Sequence, residues 1–467
     1  MHRQSLLLII ALFSLFLLLR FLPSLVKYLT KASGQPADLV IDSAQTGEFL
    51  APFWQALAQG GEEKMPFTNI LPEIRALQPQ YIRLDHLYDF YRVAQKNSQG
   101  QLIFNWSELD ALVADLRAAG ALPFFSLSYL PPEITTDGQI TSPPADWNDW
   151  SQIVQKTIEH YSGKNQQNIP NVIYEVWNEP DLFGQWKIGR TPDYLQLYHY
   201  AALGAAKARN VHSFKLGGPA TTAPYSGWVT PFLDYVQKNH LRLDFLSWHR
   251  YSADPRQFAQ DLLNVKLWLA DHERRDLAIF MTEWGSDPEN SSWHDTNFDA
   301  AHLVASVRHM LGLVDLAFTF EIKDGPSPES QKYWGRWGLL THQLTGSSEK
   351  KPKYTAFLLL NHMRGRRLNL TGEGDWITAF ATQENTTLRL LVANLDPRQR
   401  HFENVPLRII NLKNGTYQLQ QTYLEGINRQ EKITITNNAL SEHLPLTANN
   451  LVLLELTLLP EQAASQP

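Results

Sequence analysis

The chain of 467 residues contains no cysteine, which excludes a disulfide framework, a thiolate nucleophile, a Cys-ligated metal and a thiol-linked lipid. It has little net charge, -6 at neutral pH, and its basic clusters, such as Arg364-Gly365-Arg366-Arg367, are short. Nucleic-acid binding needs a concentrated basic face, and none is present. Also missing are a glycine-rich phosphate loop, a His-Glu-x-x-His helix, an EF-hand loop and a Gly-x-Ser-x-Gly elbow. Phosphoryl transfer, zinc hydrolysis and serine-esterase chemistry therefore lack their parts, and no metal or organic cofactor is implied. No internal repeat or long low-complexity stretch occurs beyond the tail, 461–467.

Aromatic residues are plentiful, with 14 Trp, 17 Tyr and 22 Phe. Most will be core, but flat rings also form ligand-pocket walls. One long apolar run is present: residues 6–19 are apolar apart from Ser14, and 21–26 extend the run past Arg20. About 20 such residues span a bilayer as one helix. No Ala-x-Ala cleavage signature follows, which favours an uncleaved membrane anchor over a cleaved signal peptide with secretion. The flanking charges, Arg3 against Lys27 and Lys31, do not fix orientation. The main body is expected outside the membrane because that is where its expected substrate lies. The sequence leaves oligomeric state open.

Behind this segment (1–30), residues 31–47 read as a linker and a strand. There Leu39-Val40-Ile41-Asp42 alternates and can return to pair with a C-terminal domain. Over 48–365, apolar strand-like runs alternate with amphipathic helix-like stretches, the pattern of parallel β/α units. Strands are expected at 53–59, 81–84, 123–127, 172–177, 215–218, 245–248, 278–282 and 317–322. Eight such units close a (β/α)8 TIM barrel. Over 366–460 the period shortens to two, at 376–382, 388–394, 417–423, 433–436 and 451–458, with Gly, Asn and Pro turns between. That predicts an all-β sandwich domain.

Two of the barrel strands end alike. Val172-Ile173-Tyr174-Glu175-Val176-Trp177-Asn178-Glu179-Pro180-Asp181 puts Glu179 after one apolar strand, and Met281-Thr282-Glu283-Trp284 puts Glu283 at the end of another. Strand ends meet at the C-terminal mouth of a barrel. Two carboxyls there, one protonated and one ionised, are what glycosidic cleavage requires. Further stretches, Tyr194-Leu195-Gln196-Leu197-Tyr198, Gly217-Gly218-Pro219-Ala220, Asp244 to Tyr251, Gly338-Leu339-Leu340-Thr341 and Lys351 to Phe357, keep matching order and spacing. Together with the two glutamate motifs they make the chain resemble glycoside hydrolase family 39, the β-xylosidases and α-L-iduronidases of clan A, over roughly residues 38–365.

The resemblance implies a retaining hydrolase of β-linked glycans, with Glu179 as acid/base and Glu283 as nucleophile. It implies that Asn178 bonds the sugar 2-hydroxyl and that His249 and Tyr251 bind the glycone and orient the nucleophile. Arg83, ending the second strand, can keep Glu283 ionised. Trp284, Trp334 and Trp337 are candidate sugar platforms. The match departs from the family at two places. Arg83 is followed by Leu84-Asp85-His86 rather than by x-His-Gly, and the eighth strand reads Phe320-Glu321-Ile322-Lys323-Asp324 rather than Trp-Thr-Phe-Ser-Asp. Asp85 can bind a hydroxyl but would repel a uronate, which argues against an iduronidase. A β-xylosidase and an endo-acting hydrolase of exopolysaccharide or cell-surface glycan both fit, with an oligo- or polysaccharide as partner. A barrel kept only for glycan binding in an export complex is the reading from another class, and the presence of both glutamates counts against it.

Overall fold

The computed structural model describes residues 34–426 and 428–460. The expected anchor (1–30) and tail (461–467) lie outside the described residues. Among the described residues no helix is long and apolar enough to cross a membrane. The described residues divide into two compact units, one built on Phe49–Gly365 and the other on Arg366–Tyr423 together with 34–48 and 428–460.

In chain order the strands of the first part are β1 (Leu39–Phe49), β2 (Ala56–Gln59), β3 (Tyr81–Leu84), the small hairpin β4 (Ala94–Lys96) and β5 (Leu102–Phe104), and β6 (Leu122–Leu127). They continue with β7 (Val172–Val176), β8 (Phe214–Thr221), β9 (Phe245–Tyr251), β10 (Ala278–Gly285) and β11 (Leu316–Phe320). Strands β2, β3 and β6 to β11 form a closed parallel barrel of eight, sealed where Phe318 of β11 pairs with Ala56 of β2. Helices lie between most consecutive strands. The helix Trp147–Tyr161, for example, buries Trp150, Ile153, Val154, Ile158 and Tyr161 at three- and four-residue spacing, and Asp146 caps it by accepting the Asn148 amide. The first strand starts at Ala56 rather than 53 because Phe53 and Gln55 donate their amides to Ala51 and Pro52 in a turn. Strands β8, β9 and β10 run further than the apolar stretches suggested, and β10 carries Glu283 within it.

Inward-facing positions change character along β3, β6, β7 and β9, while on β2 and β11 the apolar cluster continues through Ala58 and Phe320. At the bottom, Ala56, Tyr81, Phe124, Ile173, Phe245, Phe280 and Phe318 belong to one apolar cluster, with the Phe124 and Phe318 rings 4.6 Å apart. Two residues further along, at the next inward position, come Arg83, Ser126, Glu175 and Ser247, all buried, and then His249. The barrel is thus plugged by aromatic packing below and lined by polar groups above, as layered barrel interiors allow. Gly217 lies close against Phe245: a Cβ there would come within 2.4 Å of the Phe245 carbonyl oxygen.

The second unit corrects the sandwich expectation. Its later strands are β12 (Arg366–Thr371), β13 (Ile377–Glu384), β14 (Thr387–Asn394), β15 (Glu403–Ile410), β16 (Gly415–Tyr423), β17 (Asn428–Ile435), β18 (Ala439–Leu446) and β19 (Leu451–Leu458). They form one hydrogen-bonded sheet of nine strands in the order β17-β16-β19-β14-β13-β12-β1-β15-β18. Strand β1 pairs in parallel with β15, Leu39 opposite Leu407 and Ile41 opposite Ile409. Side chains from strands far apart in this order, Leu419 of β16 and Leu444 of β18 among them, share one apolar cluster with Leu39 and Ile41. A twisted sheet that curls around its apolar face buries that face without splitting in two.

The aromatic plug predicts a stability effect remote from the barrel mouth. Phe124→Ala should lower the unfolding free energy of the barrel unit by about 3–5 kcal/mol, read as a lower urea midpoint by tryptophan fluorescence.

Candidate active site

The polar layer is organised by Arg83, only 1% exposed on β3. Its Nε donates to Glu175 Oε2 at 2.8 Å and its Nη2 to Asn178 Oδ1 at 2.7 Å. Its Nη1 lies 3.5 Å from Glu283 Oε2. Burial opposes the guanidinium charge, but Glu175, Glu283 and Asp85 outweigh it and raise its pKa further above the ordinary value. One cation therefore connects the second, fourth and seventh barrel strands.

After β7 the backbone leaves regular geometry, with Trp177 at φ 77° and Glu179 at φ 44°. Non-glycine residues in this region cost on the order of 1–3 kcal/mol each and persist only when surrounding bonds hold them. Those bonds are present. Ser126 Oγ donates to the Trp177 carbonyl at 2.9 Å and Trp177 Nε1 to the Phe183 carbonyl at 3.0 Å. The Glu179 amide donates to the Ala220 carbonyl at 3.0 Å, while its own carbonyl accepts from Leu182 and Phe183. Strand alternation is thereby broken, and consecutive residues Asn178 and Glu179 both line the cavity. A second break lies in β10, whose register shifts between Met281 and Glu283 against β9. Phe280 faces the barrel interior, so strict alternation would turn Glu283 outward; the bulge turns it in.

His249 holds the two glutamates together. Its Nδ1 lies 2.8 Å from Glu179 Oε1 and 3.5 Å from Glu283 Oε2, and the Tyr251 hydroxyl donates to Glu283 Oε1. One donor atom from each of Glu179, His249 and Glu283 lies within 4.8 Å of the others. Such a trio could ligate a metal ion, but two carboxyls acting on one anomeric carbon need the same closeness, so the spacing does not require one. Retaining glycosidases hold their carboxyls about 5–5.5 Å apart and inverting ones about 6.5–9.5 Å. The closest approach of this pair's oxygens, within 4.8 Å, suits the retaining spacing. Burial disfavours the imidazolium, yet Glu283 and Glu179 outweigh it and raise the His249 pKa. Burial raises the Glu283 pKa, opposed by His249, helped by the charge of Glu179, and opposed again by Arg83 and the Tyr251 hydroxyl.

A cavity of about 800 Å³ opens above these groups. Its lining includes the carboxyls of Glu62 and Asp85. Behind them Glu321, fully buried, accepts from Gln59 Nε2 at 2.8 Å and from the Gly60 amide at 3.2 Å. Glu62 Oε2, Asp85 Oδ1 and Glu321 Oε1 are buried without a hydrogen-bond partner among the described residues. Burial and the neighbouring Asp85 push Glu62 up to about 7, burial raises Asp85, and burial with Glu62 pushes Glu321 well up. His86, pushed up to about 9 against its burial by Asp85 and Asp89, bonds Asp89 at 2.7 Å.

The residues singled out in the sequence divide into three groups. Asp85, Asn178, Glu179, Tyr251 and Glu283 line the cavity, while Arg83 and His249 are buried behind it and bind its carboxyls. Trp284 corrects the expectation of a sugar platform: it is 1% exposed and packs edge-on against Phe258, with His302 beside it, both on the outer helices. The bulge that turns Glu283 inward turns Trp284 outward. Trp337 lines the cavity and Trp334 is exposed. Sequence reasoning missed Glu62, Tyr129 and Glu175. Glu175 could have been found, because a carboxylate inside an apolar strand needs a buried cation; Tyr129, which accepts from Asn178 Nδ2 at 3.0 Å, carries no local signal.

An eight-stranded barrel with two carboxyls this close at its C-terminal mouth defines the site of a glycoside hydrolase. The family model for Glycosyl hydrolases family 39 matches residues 38–423, and the chain belongs to that family, as a retaining glycoside hydrolase. It is 28% identical over 390 residues to a β-xylosidase of Caldicellulosiruptor saccharolyticus, covering 75% of each chain. Its fold is similar to a monomeric β-xylosidase from Caulobacter crescentus CB15, with 21% identity, a TM-score of 0.77 and 91% and 100% of the two chains covered. It is likewise similar to the family 39 enzyme of Xanthomonas axonopodis pv. citri, with 21% identity, a TM-score of 0.76 and 91% and 98% covered.

Removing the central cation should be costly. Arg83→Ala strands Glu175 in the barrel and should lower stability by about 3–5 kcal/mol, measured by urea unfolding, with Arg83→Lys recovering only part because it cannot reach three partners.

Proposed function

We propose that this chain hydrolyses β-linked glycosides of a neutral sugar of the xylose class by double displacement, with Glu283 as nucleophile and Glu179 as acid/base. The carrying observation is the carboxyl spacing, within 4.8 Å and bridged by His249. In the first step a Glu283 oxygen bonds to the anomeric carbon as the bond to the leaving oxygen breaks. Glu179 gives that oxygen its proton. In the second step water replaces Glu283 at the same carbon and returns a proton to Glu179.

The negative charge of Glu179 is one cause of the raised Glu283 pKa, so placing a proton on Glu179 removes that repulsion. Arg83 and Tyr251 act on Glu283, and both favour its ionised form. With one proton between the two carboxyls, it belongs on Glu179. Asn178 has its Oδ1 engaged by Arg83 and one Nδ2 hydrogen by Tyr129, which leaves one hydrogen for the sugar 2-hydroxyl. That contact strengthens as the oxocarbenium-like transition state forms. Glu62 and Asp85 support a neutral glycone: a uronate beside them would add a negative charge to a wall whose own carboxyls are already pushed toward protonation. The β-xylosidase relatives point to the same sugar class.

Two experiments test these roles. A 2-fluoro-β-xylosyl donor should trap a covalent adduct on Glu283, located by peptide mass spectrometry, and an aryl β-glucuronide should be hydrolysed far more slowly than the aryl β-xyloside. A label elsewhere sinks the nucleophile assignment. The profile of kcat/KM against pH should be bell-shaped, falling at low pH as Glu283 takes up a proton and at high pH as Glu179 loses one. Tyr251→Phe removes a hydrogen bond that favours ionised Glu283, so Glu283 should protonate at higher pH and the acid limb should move upward. Glu179→Gln should flatten the basic limb, and an unchanged basic limb would make another group the acid.

A further inference from the structure

The loop between β14 and β15 carries three side chains with no role in the fold. Arg398 and Arg400 are exposed, and among the described residues neither guanidinium has an ion-pair or hydrogen-bond partner. Phe402 is 59% exposed. Other arginines of the same unit are matched: Arg389 meets Glu384 and Glu455, and Arg429 meets Glu431 and Glu442. We propose that this loop docks on an anionic lipid surface, with Arg398 and Arg400 on the headgroup phosphates and Phe402 at the acyl boundary. The chain then meets the membrane at two places, the apolar run 6–26 and this loop, and stable attachment generally takes two such signals.

The loop is held in shape from within. The Asp396 carboxyl, itself buried, accepts the amides of Arg398, Arg400 and His401 at 2.9, 2.7 and 2.9 Å. At its end the His401 ring stacks on Trp376, with centroids 3.9 Å apart, and bonds Glu403 Oε2 at 2.6 Å. The same corner receives the chain from its N-terminal segment. Glu403 Oε1 accepts the Ala37 amide at 2.6 Å, Asp375 and Gln35 exchange two bonds, and a Cβ on Gly34 would run into the Trp376 ring. Gly34 follows Val26, the end of the apolar run, by eight residues, with Lys27 and Lys31 between them. Eight residues reach at most about 29 Å. If the run enters a bilayer, this corner and its arginines stay within that distance of the headgroups. Anionic leaflets attract basic residues beside a membrane segment, and here two arginines add to two lysines. Asp396 and Glu403 are buried and held by amides, so the loop turns its cations outward. A cavity of about 460 Å³, lined by Arg398, Arg400 and His401, gives room for a headgroup phosphate. A glycan fits less well, because Trp376, the ring it would stack on, is covered by His401 on one face and closed at its edge by Gly34.

The chain has no cysteine, so Pro397→Cys accepts a fluorescent label at a single site. The labelled full-length protein is reconstituted into phosphatidylcholine vesicles with or without phosphatidylglycerol, each carrying a nitroxide-headgroup lipid as quencher. Quenching should be strong with phosphatidylglycerol and weak without it, while a label at Lys432→Cys on β17 stays unquenched in both. Arg398→Ala and Arg400→Ala should each lower the ratio of docked to free loop about fivefold. Arg398→Lys and Arg400→Lys keep the charge and should keep most of the docking, and salt at about 1 M should release the loop. Protein that stays out of both vesicles on flotation, equal quenching with and without phosphatidylglycerol, equal quenching at the two labels, or quenching unchanged by the alanine variants would each overturn the proposal. A label that responds to soluble polygalacturonate as strongly as to the vesicles would make the loop a site for polyanionic glycan and overturn it as well.

Discussion

The structure depends most on one buried cation. Arg83 is held by Glu175, Asn178 and Glu283, side chains from the fourth and seventh barrel strands and the turn between fold and cavity. A guanidinium removed from water is tolerable only when its planar donors are matched by acceptors in fixed positions, and three such acceptors exist only if the barrel has closed in the right register. The requirement runs in both directions. The barrel keeps the charge buried, and the charge sets the orientation of Asn178 and the ionisation of Glu283. Catalytic preorganisation and fold specificity are here the same set of contacts.

That arrangement asks for departures from regular structure, which the rest of the barrel supports. Left-handed backbone at Trp177 and Glu179, carboxyl oxygens on Glu62, Asp85 and Glu321 that have no partner among the described residues, and a carboxyl pair sharing one histidine all concentrate at the C-terminal mouth. The stabilising packing lies below, where rings from Phe124, Phe245, Phe280 and Phe318 fill the interior. Along β3, β6, β7 and β9 the inward positions pass from one regime to the other within two residues. The distance between stability and function in this protein is therefore one period of a β-strand.

Much of this was legible in the sequence because the barrel repeats itself. The alternation of strand and helix over residues 48–365 announced parallel β/α units, and two glutamates at similar strand ends announced the carboxyl pair. Arg83, Asp85, Asn178, His249 and Tyr251 also lie at or directly behind the cavity. Harder to see was anything made by contact across the barrel. Glu62 follows a short strand in a Gly-Gly loop, and only closure of the barrel brings it against Glu321 and Asp85. The β-domain strands at Arg366–Thr371, Glu403–Ile410 and Ala439–Leu446 carry Arg, Asn, Pro or His among their apolar residues, which blurred the period-two signal. Whether the strands form one curled sheet or two stacked ones depends on pairings far apart in sequence, such as β1 with β15, that local alternation does not encode.

Trp284 is the instructive case. Counting by twos from Phe280, which faces the barrel interior, puts Trp284 in the cavity and Glu283 among the helices. An aromatic platform at 284 and a nucleophile at 283 cannot both follow from one regular strand, since neighbouring side chains point to opposite faces. The register shift in β10 resolves the conflict in favour of the carboxylate and sends the indole outward against Phe258. Inserting one residue into a strand is the smallest change that reverses its faces. Placed between the hydrophobic plug and the mouth, it leaves Phe280 packed below while presenting Glu283 to Arg83, His249 and Tyr251 above. The nucleophile is therefore specified by a backbone irregularity as much as by the residue type, and a strand that lost its bulge would keep the same sequence with its carboxylate facing away from the sugar.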